Sequence, residues 1–156
     1  MNKLCSYCIV VLLGLLTLGC KKDKEEPSKT ELLTNKNWIQ TAYTVSPGVV
    51  VNGATVTDIY AQSQPCDRDD FIRFETPNVF KSDEGATKCT QTDPQTTTGT
   101  WTFNGDNTIL TVTAQGSTSP QSLNVQELTD SSLRLSYTQA AGTNPVITYT
   151  ITFRKG

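Results

Sequence analysis

The chain contains no histidine. That absence removes Ser-His-Asp and Cys-His nucleophilic machinery, the histidine general base and histidine metal ligands. The sequence also holds neither a phosphate-cradling glycine loop nor a zinc-type cysteine set. Two groups of side chains retain chemical potential. One is acidic: Asp67, Asp69 and Asp70, with Asp83 and Glu84 further along. Several hard oxygens together suit calcium. Arg68 interrupts the run, however, and the spacing fits no calcium loop, so these carboxylates read as turn-forming and strand-capping aspartates. A glycosidase-like pair would need two selected carboxylates, and nothing selects two. No catalytic residue, metal or cofactor is expected, and an enzyme is disfavoured. The other group is aromatic: Trp38, Trp101, Phe103, Tyr137, Tyr149 and Phe153. These six either line an apolar pocket for a small lipid-like ligand or fill the interior of a small fold with side chains.

The N-terminus fixes where such a fold would work. A lone Lys3 precedes an apolar run over residues 9–16, and the segment ends Leu15-Leu16-Thr17-Leu18-Gly19-Cys20. The run is far shorter than the roughly 20 apolar residues of a membrane span. It has the layout of an export signal removed from the mature protein. The segment resembles the lipobox cut by lipoprotein signal peptidase, with Leu16 and Thr17 one place further from the cysteine than in the commonest pattern. The resemblance implies removal of residues 1–19 and acylation of Cys20 by several chains, enough for stable membrane attachment. Residues 20–29, including Lys21-Lys22-Asp23-Lys24-Glu25-Glu26, lack apolar side chains other than Cys20 and read as a solvated tether. Their lysine-then-acid order is similar to signals that carry lipoproteins to the outer face of the outer membrane. Outer-membrane attachment through lipid on Cys20 is the expected location, on the periplasmic face or the cell surface.

The leader carries one of the thirteen basic residues and no acid, so twelve basic side chains face fifteen acidic ones in the mature chain. That balance offers no basic patch for nucleic acid. Of the five cysteines, Cys5 and Cys8 leave with the signal, and Cys66 and Cys89 remain in an oxidising compartment. Facing residues of an antiparallel hairpin share a constant sum of positions. The midpoint of 66 and 89 falls between Pro77 and Asn78, inside the turn signal Glu75-Thr76-Pro77-Asn78. A Cys66–Cys89 disulfide would clasp the open end of that hairpin.

The elements that must position these groups are strands. Threonine-rich runs alternate with period two, and long stripes of period 3.6 are nearly absent. The one helical signal is Ser28-Lys29-Thr30-Glu31-Leu32-Leu33, where Ser28 and Glu31 form a capping box. A first strand over 38–45 is predicted to end at the turn Ser46-Pro47-Gly48. Asn52-Gly53 then makes a two-residue hairpin between Val49-Val50-Val51 and Ala54-Thr55-Val56. Residues 58–64 are ambiguous between a short helix and an irregular crossing. The clasped hairpin follows, with strands over 70–75 and 78–84, and then a polar loop over 85–95. Further strands cover 96–104, 109–113, 123–128, 133–138 and the terminal run of Ile147, Tyr149, Ile151 and Phe153. Loops 115–120 and 140–145 separate them. Eight or nine short antiparallel strands avoid exposed edges by closing into an up-and-down barrel.

Several pieces resemble the lipocalin-like domains of lipoproteins from Gram-negative bacteria. They are Leu32-Leu33-Thr34 before Trp38, Cys66-Asp67 with Asp69-Asp70, and Asp83-Glu84-Gly85 with Cys89. Gly99-Thr100-Trp101-Thr102-Phe103, Glu127-Leu128-Thr129 with Leu133, and Tyr149-Thr150-Ile151-Thr152-Phe153 complete the set. The likeness spans nearly all of residues 30–154 and departs from the usual signature in having Lys36, not Gly, two places before Trp38. It implies an all-β meander barrel of about eight strands over 30–156, with an interior able to hold one small ligand, and implies no defined activity. Two readings follow: an anchored barrel binding a small apolar molecule, or a filled, non-enzymatic barrel serving structure or protein interaction.

Overall fold

The computed structural model describes residues 26–140 and 146–156. The leader, Cys20 and most of the tether lie outside the described residues, as does most of the loop 140–145. A short helix, α1 (Lys29–Leu33), precedes nine strands. These are β1 (Asn37–Val51), β2 (Ala54–Asp58), β3 (Phe71–Glu75), β4 (Val79–Asp83), β5 (Thr96–Phe103), β6 (Ile109–Ala114), β7 (Gln121–Leu128), β8 (Ser132–Gln139) and β9 (Ile147–Lys155). The chain is all-β, and pairing of β1 with β9 closes eight of the strands into an antiparallel barrel.

α1 begins where the capping box places it. The Ser28 hydroxyl accepts from Glu31 N–H at 3.2 Å, and the Glu31 carboxylate accepts from Ser28 N–H at 2.7 Å. Asn52 and Gly53 both take positive φ, 51° and 83°, and the hairpin they turn pairs Val51 with Ala54. Asn104 organises the β5–β6 turn by accepting the Thr108 and Ile109 N–H groups at 2.8 and 2.9 Å. The ambiguous segment 58–64 contains one turn of 3₁₀ helix, Tyr60–Gln62, and a second covers Pro65–Asp67.

The first strand differs from the expected one. Ser46-Pro47-Gly48 does not end it; β1 runs through for fifteen residues. Proline lacks the ladder N–H, and the β1–β2 register shifts between Thr44 and Val49, where this segment sits. One edge of β1 carries β9 along residues 38–46. The other carries β3 at residues 37–39 and then β2 from residue 44 onward. β2 therefore extends the sheet beside β1 and is not one of the eight barrel strands.

Inward residues of all eight barrel strands build the interior. The fully buried Trp38, Phe74, Leu110, Leu133 and Leu135 pack with Leu33 of α1, Trp101, Leu123, Leu128 and Phe153. Strand directions place α1, the turns 76–78, 104–108 and 129–131, and the chain end around one rim of the barrel. That rim is the closed end. Asp130 pins it, accepting Lys36 Nζ at 2.7 Å and Lys155 Nζ at 3.0 Å. Those two ammonium groups hold its carboxyl below the usual carboxylate range. The opposite rim carries the β1–β2 extension and the loops 59–70, 84–95 and 115–120.

Candidate functional site

The interior is filled at the closed end and hollow toward the other. A chamber of about 500 Å³ lies within the upper barrel. Phe74, Leu123, Leu135 and Phe153 bound it below, and Ile72, Phe80, Val112 and Ile151 wall it. Ser117, Ser119 and Gln121 of the β6–β7 connection give it a polar fringe. Its volume falls within the range of small-molecule sites, which are mostly apolar with a few placed polar groups.

Two phenols line the same chamber. Tyr43 of β1 and Tyr137 of β8 bring their hydroxyls to 2.6 Å, a hydrogen bond in which either can donate. Tyr149 of β9 stacks on Tyr137, with ring centroids 4.8 Å apart and planes within 6°, and tilts against Tyr43 at 6.0 Å. Burial, followed by the hydrogen bond to Tyr43, pushes the Tyr137 phenol above its ordinary value, so that hydroxyl keeps its proton near neutrality.

The six aromatic residues expected to contact a ligand separate along the barrel axis. Tyr137 and Phe153 line the chamber and Tyr149 backs Tyr137. Trp38 and Trp101 belong to the filled end: their indole N–H groups donate to Leu33 O at 2.9 Å and to Glu75 O at 3.0 Å. Phe103 packs edge-on against Trp101 with centroids 5.7 Å apart. Trp101 and Phe103 thus stand apart from the chamber. Tyr43 was missed by alternation because β1 carries a bulge at Thr41, between Gln40 and Ala42 in its pairing with β9. The extra residue reverses parity, so Trp38 and Tyr43, five positions apart, both point inward.

A second cavity of about 380 Å³ adjoins the first and shares Tyr43, Ile72 and Phe153 with it. Trp38, Ile59 and Phe71 supply its apolar wall, with Gln40, Ser63 and Ser82. Asp67 and Asp70 also line it. Cys66 and Cys89 form a disulfide with Cα atoms 5.3 Å apart, tying loop 59–70 to loop 84–95. The hairpin this bridge clasps is centred on Pro77, half a residue from the expected midpoint.

The acidic residues divide by role. Asp69 accepts Ala86 N–H at 2.7 Å, Thr87 N–H at 2.8 Å and the Thr87 hydroxyl at 2.6 Å, which lowers its pKa. Asp83 accepts Gln95 Nε2, Gly85 N–H and the Thr96 hydroxyl and is likewise lowered, chiefly by Thr96. These carboxylates fasten loop 84–95 to the barrel, as the turn-and-cap reading anticipated. Asp70 is different. Its Oδ1 is sealed from solvent and has no hydrogen-bond partner among the described residues. Burial first, then Glu84, Asp67, Asp69 and Asp83, push its carboxyl up to about 6.

The model of the lipocalin-like domain matches residues 34–135. The chain belongs to this family. A solved lipocalin-like protein from Bacteroides uniformis is 15% identical, with a TM-score of 0.49; the match covers 80% of this chain and 99% of that one. No curated protein matches the sequence.

Proposed function

We propose that this lipocalin-like protein is an envelope lipoprotein that holds one small, mainly apolar molecule in the upper barrel. The observation that carries the reading is the chamber of about 500 Å³, with apolar walls and a polar fringe. Such a lining removes an apolar ligand from water, worth roughly 25 cal/mol per Å² buried, while a few hydroxyls orient it. The absence of histidine from the sequence supports a binder over an enzyme. Location rests on the leader and on Cys20, whose acylation would hold the barrel to the outer membrane through the tether at residues 20–29.

Intact mass measurement of the chain taken from cells tests the ligand. A non-covalent adduct is expected with the native sequence. It should be absent from Val112→Trp, which places an indole inside the chamber. Ala114→Trp, nearer the fringe, serves as a second variant should the first fold poorly. A native chain without an adduct, and with no saturable uptake of N-phenyl-1-naphthylamine, would refute the reading. Labelled palmitate incorporated into the native chain but not into Cys20→Ser tests the anchor.

A further inference from the structure

We infer that the Tyr43–Tyr137 pair is the chamber's specificity element, and that it selects an apolar molecule carrying one neutral hydrogen-bond acceptor such as a ketone or ester carbonyl. This rests on the reading of the chamber as a ligand site.

Two phenols bring two protons and two acceptor oxygens. At 2.6 Å the pair uses one proton and one oxygen in its mutual bond. Neither hydroxyl has another partner among the described residues. One O–H is therefore left over, on the wall of a mainly apolar chamber that both rings line. Receiving a bond from its neighbour polarises that terminal O–H and strengthens it as a donor. Burial, then the hydrogen bond with Tyr43, raises the Tyr137 phenol above its ordinary value, so that side of the pair stays protonated and neutral near neutrality. The two sides of the pair are also fixed: Tyr137 is stacked on Tyr149, and Tyr43 is tilted against the same ring. A preorganised donor loses little freedom on binding.

Charge narrows the acceptor further. Asp67 and Asp70 line the adjoining cavity that shares Tyr43. A ligand carboxylate would meet like charge there, whereas a carbonyl meets none.

The test compares 2-decanone with 2-methyl-1-decene, which replaces C=O by C=CH₂ at nearly the same shape. Calorimetric titration uses the full chain in phospholipid nanodiscs, with empty discs as the blank, for the native protein and for Tyr43→Phe, Tyr137→Phe and the double variant. The readout is the change in the ratio of ketone to alkene affinity from protein to protein, in which the apolar contribution and partition into lipid cancel. The double variant should lower that ratio by about three- to tenfold, the worth of one hydrogen bond. Each single variant should lower it less, since the surviving hydroxyl still donates. The carbonyl stretch of bound ketone should rise in the double variant as the bond is lost. An unchanged ratio in the double variant, with alkene still bound by the native chain, would overturn the pair's role and leave the chamber standing. Failure of both compounds to bind the native chain would overturn the chamber and the pair together.

Discussion

Asp70→Asn should stabilise the protein above pH 6 and leave it nearly unchanged near pH 4. The carboxyl is raised from 3.8 to about 6 by burial, with Glu84, Asp67, Asp69 and Asp83 adding repulsion. Its sealed Oδ1 gains no hydrogen bond in return, and the neighbouring cation of Arg68 lies over the Tyr60 ring, 5.8 Å from its centroid. Between pH 4 and 6 the folded state keeps a proton that the unfolded chain has released. The contribution of this group to stability is thus complete below pH 3.8 and lost as pH rises through about 6. Two pK units correspond to a ceiling of about 3 kcal/mol at 1.36 kcal/mol each. Asp70 is only half-buried, and the solvent it retains reduces this to about 1–2 kcal/mol. Asparagine copies the protonated acid in size without ever ionising. Its gain at pH 7.5 should appear as about 3–8 °C in thermal midpoint. Melts of both proteins from pH 4 to 8, with the disulfide intact, measure it. Asp69 and Asp83, both lowered, cost stability as pH falls below 4, but they do so in both proteins and cancel in the difference. A loss of stability in Asp70→Asn at pH 7.5, or a gain that does not change with pH, would refute the reasoning.

Three further perturbations test the loops and the wall. Cys66→Ser with Cys89→Ser opens a loop spanning a separation of 23 residues, which should cost about 3 kcal/mol in the chain-entropy model; the native chain under reducing conditions should melt at the same lowered temperature as the variant. Gly99→Ala would drive its Cβ into Thr113 O, and Gly85→Ala into Asp69 O at a φ of 64°. Each should cost about 1–3 kcal/mol, seen as a lower midpoint in urea. Gly85→Ala should additionally speed proteolysis within loop 84–95.

Most of the barrel was readable because a strand writes its burial in alternate positions. On β9, Tyr149, Ile151 and Phe153 face inward, and on β8, Leu133, Leu135 and Tyr137 do so. The turns were readable where a side chain or a positive φ forces them, as at Asn52-Gly53 and Asn104. What alternation cannot show is a change of parity or a change of partner. Tyr43 was hidden by the bulge at Thr41. The continuation of β1 past Ser46-Pro47-Gly48 depends on β2 and β9 pairing across that segment, which is a tertiary fact. The placement of β2 outside the barrel follows from β3 already holding the start of the same β1 edge.

The aromatic set could not be divided from sequence because the division depends on height along the barrel, not on which face a residue occupies. At the closed end Trp38 meets α1, and both indole N–H groups are spent on backbone carbonyls, Leu33 O and Glu75 O. A buried polar atom bound to backbone is held by the fold itself and has nothing left for a guest. Higher in the barrel Ala114, Ser117 and Ser119 border the open space. There the polar atoms of Tyr43 and Tyr137 are bound only to each other. A bond between two side chains can open toward a third group without disturbing a ladder. By this criterion the tryptophans are structural members and the tyrosines are the residues through which the barrel would recognise what it holds. Trp38→Phe should therefore lower stability by about 1–3 kcal/mol, through the lost bond to Leu33 O and the space left behind. It should leave the ketone-to-alkene affinity ratio where the native chain has it, and a change in that ratio would place recognition at the wrong end of the barrel.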